Sequence, residues 1–180
     1  MFYKSPEECR QFVDSTGHAV DGINVIPPGE HRFDSVSVSF EKLVTKRVLA
    51  EMVTKHLGGF ASCLFCVVEY GIWPSSEDLN LYYRLRSTYR DYRELWAAPG
   101  HLFLSHERAD LITFLSLALQ FGWGGYVVTA VGEGHVSVSH DGWLRLSSTL
   151  NLDPLMSALA SLNLQFEFEQ ANPDRSERPH

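Results

Sequence analysis

Two spacings of apolar residues alternate along the chain. From Phe33 to Phe40, Val36, Val38 and Phe40 interleave with Ser35, Ser37 and Ser39, the period of two of a half-buried strand. From Glu41 the period lengthens. Leu43, Val44, Val48, Met52, Val53 and Leu57 form a helical stripe, and Gly58-Gly59 ends it. Phe60 to Tyr70 is apolar on both faces until Glu69, which predicts a strand near the centre of a sheet, covered on both sides. Ser105 is expected to cap a helix running to Phe121. That helix is apolar almost all round, through Leu111, Ile112, Phe114, Leu115, Leu117 and Leu119, and so is buried, with Gly122 as its C-cap.

Local signals place the remaining elements. Ser5-Pro6-Glu7-Glu8 reads as a capped helix start whose apolar edge is Cys9, Phe12 and Val13. Asp21 to Glu30 reads as loop. Pro74 to Asp78 opens another helix, and Asp91 to Trp96 is expected to add a further turn or two before Ala97-Ala98-Pro99-Gly100 breaks it. His101 to Leu104 suits a short strand. Asp153 caps the last helix, with Leu155, Met156, Leu159 and Leu162 inward. Leu164, Phe166 and Phe168 then alternate with Gln165, Glu167 and Glu169, an edge strand with an acidic outer face.

Tyr126 to Ser148 predicts a three-stranded meander, with turns at Gly132-Glu133-Gly134 and at Asp141-Gly142. A three-residue loop, His140-Asp141-Gly142, pairs Val138 with Leu144 and Val136 with Leu146, and leaves Gly142 where the bulge needs a positive φ. The same loop length at the first turn pairs Ala130 with Val136 and Val128 with Val138. Tyr126, Val128, Ala130, Val136, Val138, Leu144 and Leu146 then face inward, and His135, Ser137, Trp143, Arg145 and Ser147 face out.

The fold class is therefore α+β: one domain over residues 1–170, a mostly antiparallel sheet with a C-terminal meander and helices on at least one face. Residues 171–180 are polar and are expected to be a disordered tail. Composition narrows the class further. The 180 residues carry 15 Lys+Arg against 22 Asp+Glu, a net charge of −7, with 44% hydrophobic residues. That balance argues against duplex nucleic acid as a partner, which needs a cationic field. The N-terminal residues have no basic and apolar leader pattern, and no apolar run nears the roughly 20 residues of a membrane span. A soluble, cytoplasmic chain with no membrane partner is the expectation.

Catalytic motifs are scarce: no phosphate-binding glycine loop, nucleophile elbow or H-E-x-x-H is present. Cys63 and Cys66 are spaced as C-x-x-C, but on a strand they point to opposite faces. The eight histidines offer no three-ligand spacing, so neither a metal nor another cofactor is expected. Three features remain. Glu69 ends a buried strand beside Tyr70 and Trp73, the setting of a general acid. Tyr82, Arg86, Tyr89 and Arg93 fall on one face if residues 82–93 are helical throughout, and with Arg90 they form a local cationic patch of residue types that anchor interfaces or stack on bases. Trp143, with Arg145 and His135, stands on the outer face of the meander.

These features predict a non-catalytic protein-binding module, of the kind an immunity or antitoxin protein uses to neutralise a basic partner. One alternative is a small-molecule binder or hydrolase that uses Glu69 as acid–base group. The other is nucleotide or single-stranded nucleic-acid binding through residues 82–93.

Overall fold

The computed structural model describes residues 1–27, 33–40, 43–69, 76–130 and 134–171. In chain order these form β1 (Phe2–Lys4), α1 (Pro6–Ser15), β2 (Ala19–Asp21), β3 (Asn24–Ile26), β4 (Asp34–Ser39), α2 (Leu43–His56), β5 (Ser62–Glu69), α3 (Ser76–Thr88), β6 (Gly100–Leu104), α4 (Arg108–Phe121), β7 (Gly124–Thr129), β8 (Gly134–Val138), β9 (Trp143–Ser148), α5 (Asp153–Ser161) and β10 (Phe166–Glu169). Eight strands make one antiparallel sheet in the order β1-β6-β5-β7-β8-β9-β4-β10, and β2-β3 is a separate hairpin. The α+β class and the meander are as the apolar pattern predicts. The expected tail lies outside the described residues, apart from Ala171.

Register aligns one apolar row across the main sheet: Tyr3, His101, Phe65, Val127, Val136, Leu146 and Val36. Leu49, Val53 and Leu57 of α2, Leu111, Phe114, Leu115 and Ala118 of α4 and Leu155 and Leu159 of α5 close over this face, all essentially without exposed surface. Each such leucine, valine or phenylalanine contributes about 1.5–3 kcal/mol by leaving water. The α2 stripe is turned from the expected one. Leu49 and Ala50 are buried while Val48 and Met52 are half-buried, because α2 lies on α4 as well as over the sheet. Leu162, expected inward, is 47% exposed, since α5 ends one residue earlier.

The opposite face carries a smaller core, in which Cys9 and Val13 of α1 and Val25 of β3 cover Leu64, Cys66, Tyr126 and Val128. Asp21 to Glu30 is thus not all loop. Asp21 pairs with Asn24 across a tight turn at Gly22, whose φ of +59° suits glycine. Three-residue strands are too short to show alternation, which is why the pattern conceals them.

That second layer also overturns one predicted register. The β8–β9 hairpin pairs Val138 with Leu144 and Val136 with Leu146 as expected, and Gly142 has φ +86°. At β7–β8, however, Val127 rather than Ala130 lies opposite Val136. The slip of three residues is odd, so Val127 joins the helix-covered face and Tyr126 and Val128 the other. The prediction assumed that one face of β7 meets water. Both are buried, and hydrophobicity alone cannot choose between them.

Helix starts differ in detail. Ser5 closes a capping box with Glu8, at 3.3 Å from the Glu8 amide and 2.8 Å back to its own. Ser105 does not cap α4. It opens a 3-10 turn in which the Glu107 carboxylate accepts from the Leu104 amide at 2.8 Å. Asp153 lies inside α5, and its amide donates instead to Asn151 Oδ1 at 2.8 Å.

Candidate functional site

Residues 82–93 are not one surface helix. α3 ends at Thr88, and Arg90 takes a left-handed φ of +60°. Asp91 to Trp96 is a pinned loop rather than a further stretch of helix. Tyr82 and Arg86, one turn apart, face inward with no exposed surface. Arg86 Nη1 donates to Tyr82 Oη at 2.8 Å and to the Ala98 carbonyl at 3.1 Å, while Nη2 donates to Asp91 Oδ1 at 3.0 Å. Its guanidinium also lies 4.2 Å from the centre of the Tyr3 ring. With its lone pair taken by Arg86, the Tyr82 hydroxyl donates to His101 Nε2 at 2.8 Å, leaving His101 Nδ1 to donate to the Phe65 carbonyl at 3.3 Å. Burial first, and the Arg86 charge second, keep His101 neutral, with its pKa near 3. Arg86 is a structural cation here, not a surface contact.

Asp91 turns that buried charge into loop geometry. Its carboxylate also accepts from the Arg93 amide at 2.9 Å and from Arg93 Nε at 3.0 Å, and Arg93 Nη2 reaches the Tyr3 carbonyl at 3.0 Å. Burial would raise the Asp91 pKa, but hydrogen bonds from Arg93 and Arg86 outweigh it and hold the group at about 2. Further along, Leu95 and Ala98 are buried, and the Leu95 amide donates to Tyr83 Oη at 3.3 Å. Between these anchors Tyr92 and Trp96 stand 78% and 70% exposed. Arg90 is exposed beside them. Tyr89 is half-buried, its hydroxyl pushed up to about 12 by burial and by the Asp110 carboxylate.

Glu69 sits at the rim of the sheet. It faces Gly124 in register, and a Cβ on Gly124 would lie 2.1 Å from Glu69 Oε2. The bare backbone is therefore the seat of this carboxylate. His140 Nδ1, from the β8–β9 loop, donates to Glu69 Oε2 at 2.8 Å, and this bond raises the imidazole's pKa. Tyr70 and Trp73, expected to flank Glu69, lie outside the described residues.

On the meander, His135 is only 5% exposed and packs on the rings of His18 and Phe33, so it is not the outward-facing residue predicted. Burial holds its pKa near 3. Trp143 is half-buried and lines a groove along β9, β4 and β10, and Arg145 in the same groove pairs with Glu169. Cys63 and Cys66 fall in different cores, as their spacing requires, and both are free thiols.

The structure thus brings Tyr82 and Arg86 together inside, Trp143 and Arg145 together in a groove, and Glu69 to neither. Tyr92, Trp96 and His140 were missed. The first two carried a signal in their residue types alone: Tyr92 is the middle residue of Asp91-Tyr92-Arg93, and Trp96 follows three residues on, before Pro99-Gly100. Among the described residues no group of three His, Cys, Asp or Glu side chains is arranged to hold a metal ion. Nor does any helix there have the length and apolarity to cross a membrane. Comparison with family models, curated proteins and solved structures returns no match.

Proposed function

We infer that the chain is a non-catalytic protein-binding module that meets its partner through the loop bearing Arg90, Tyr92, Arg93 and Trp96. One observation carries this reading: two large aromatic side chains project into solvent from a backbone fastened to a buried Arg86–Asp91 pair. Tyr, Trp and Arg are the residue types that dominate binding hot spots. A loop already held in place loses little entropy on binding, so the contact area converts efficiently into affinity. Arg90 and Arg93 flank Tyr92, so carboxylates suit the partner's rim at this surface. That is the reverse of the basic partner suggested by the total charge of −7.

The test compares capture from the native source by tagged wild type, Tyr92→Ala/Trp96→Ala and the remote surface variant Thr113→Ala. With about 2 kcal/mol per anchor, each truncation weakens the complex roughly 30-fold. A partner held by wild type and Thr113→Ala but lost from the double variant, with melting temperature unchanged, supports the reading. Equal recovery of every saturable partner by the double variant overturns it.

The contact between His140 and Glu69 favours a second reading, a small-molecule binder or hydrolase with Glu69 as its acid–base group. Turnover of an ester or phosphoester by wild type, abolished in Glu69→Gln, would displace the non-catalytic reading.

A further inference from the structure

The sheet's two outer strands are treated differently. At β1 the edge is blocked, because Arg93 reaches the Tyr3 carbonyl. At the other end β10 pairs only with β4 among the described strands, so alternate residues of Phe166–Glu169 present main-chain donors and acceptors outward. Glu167 and Glu169 lie on one face of this strand and Phe166 and Phe168 on the other, with Phe168 45% exposed. Beside it runs a groove of about 810 Å³ lined by Ser37, Ser39, Trp143, Arg145, Gln165 and Glu167, among others. Arg145 is neutralised by Glu169. Glu167 has no ion pair among the described residues.

We propose that the β10 edge takes an extended segment of a partner protein in which basic and apolar residues alternate, adding it to the sheet as a ninth strand. Directly opposed residues of an antiparallel pair share a face. A Lys or Arg opposite Glu167 meets a carboxylate that holds no other ion pair among the described residues, the nearest cation in line across β4 being Arg145, itself paired with Glu169. Its apolar neighbours in the segment fall opposite Phe166 and Phe168 and cover them. A second copy of this chain is a poor occupant. Two β10 strands related by a two-fold axis normal to the sheet would oppose Glu to Glu, and like charges directly opposite are destabilising. This edge is seven strand spacings from β1, about 34 Å measured along the sheet, and the Tyr92–Trp96 loop is fastened at the β1 end.

The probe is a labelled hexapeptide of sequence VKVKVK, with VVVKKK and VEVEVE as controls, read by fluorescence anisotropy and by amide hydrogen exchange of residues 166–169. VKVKVK should bind saturably and at least about tenfold tighter than either control, a difference of about 1.4 kcal/mol. Exchange at 166–169 should slow on binding. Glu167→Gln should weaken the complex about fivefold, and Trp143→Ala, on β9 three strands away from the added segment, and Tyr92→Ala/Trp96→Ala should leave it unchanged. Equal binding of VVVKKK, unaltered exchange at 166–169, or a concentration-dependent dimer through β10 overturns the proposal without touching the reading of the Tyr92–Trp96 loop.

Discussion

Arg86 ties α3 to the 91–98 loop and to the Tyr3 ring, and its removal is costly for what it leaves behind. Tyr82, Ala98 and Asp91 would each lose a buried partner. Breaking a buried pair in this way costs about 3–5 kcal/mol. Arg86→Met should therefore lower the urea midpoint by that equivalent, and Arg86→Lys should not restore it, because an ammonium lacks the planar fork. A loss below about 1 kcal/mol would show the network to be dispensable. The two buried imidazoles set a second expectation. His101 and His135 titrate near 3 in the fold against 6.5 when unfolded. The unfolded chain takes up protons first, so these sites contribute full stability above pH 6.5 and lose it as pH falls from 6.5 towards 3. Each is worth about 1.4 kcal/mol per pH unit in that window. The melting temperature should fall accordingly as pH drops through this window, and His135→Phe should flatten one share of that slope. A slope unchanged by that substitution would mean His135 is not the titrating group. The unusual Tyr/Arg content of residues 82–93 is readable in the sequence. Which side of α3 it occupies is not, because the acceptors that hold Arg86 inside, the Ala98 carbonyl and Asp91, lie on a loop whose path leaves no periodic trace.

At the scale of elements, two adjacent glycines at the start of β7 do different work. A Cβ on Gly124 meets the Glu69 side chain, whereas a Cβ on Gly125 would lie 2.3 Å from the Cys66 carbonyl, which is backbone. Overpacking of this kind costs about 1–3 kcal/mol. Gly124→Ala should be substantially rescued by Glu69→Gly, and Gly125→Ala should be worse and rescued by no side-chain change at β5. Thermal unfolding of the three variants checks this ranking. The same strands show where pattern reading succeeds and stops. The β8–β9 register followed from one buried face and one turn glycine. The β7 register did not, because α1 and the β2–β3 hairpin bury its other face, and that cover comes from strands too short to announce themselves.

For the whole molecule, helices and main-sheet strands were largely readable, since most carry a clear period or a capping residue. The order β1-β6-β5-β7-β8-β9-β4-β10 was not, because long-range pairing leaves no local trace. The candidate surfaces divide in the same way. Residue types marked the 82–93 region, but the exposed pair Tyr92 and Trp96 emerges only once Asp91 is seen to hold Arg86 and Arg93 together. Truncating the core should act across the molecule. Leu115→Ala, between sheet and helices, should cost about 2–5 kcal/mol and leave a single cooperative urea transition. Two separated transitions would show that the halves of the sheet are independent.

The placement of β4 has a consequence for how the chain is made. Its neighbours are β9 and β10, so Asp34 finds its partner only at Ser148. At about 5–20 residues per second, the ribosome needs roughly 5–20 s to supply β9 after β4 has emerged. Through that interval Val36 and Val38 belong to a strand with two open edges. Nascent chains halted before residue 143 should therefore be bound by holding chaperones and cleaved readily near β4, and a chain extended past Glu169 should resist both.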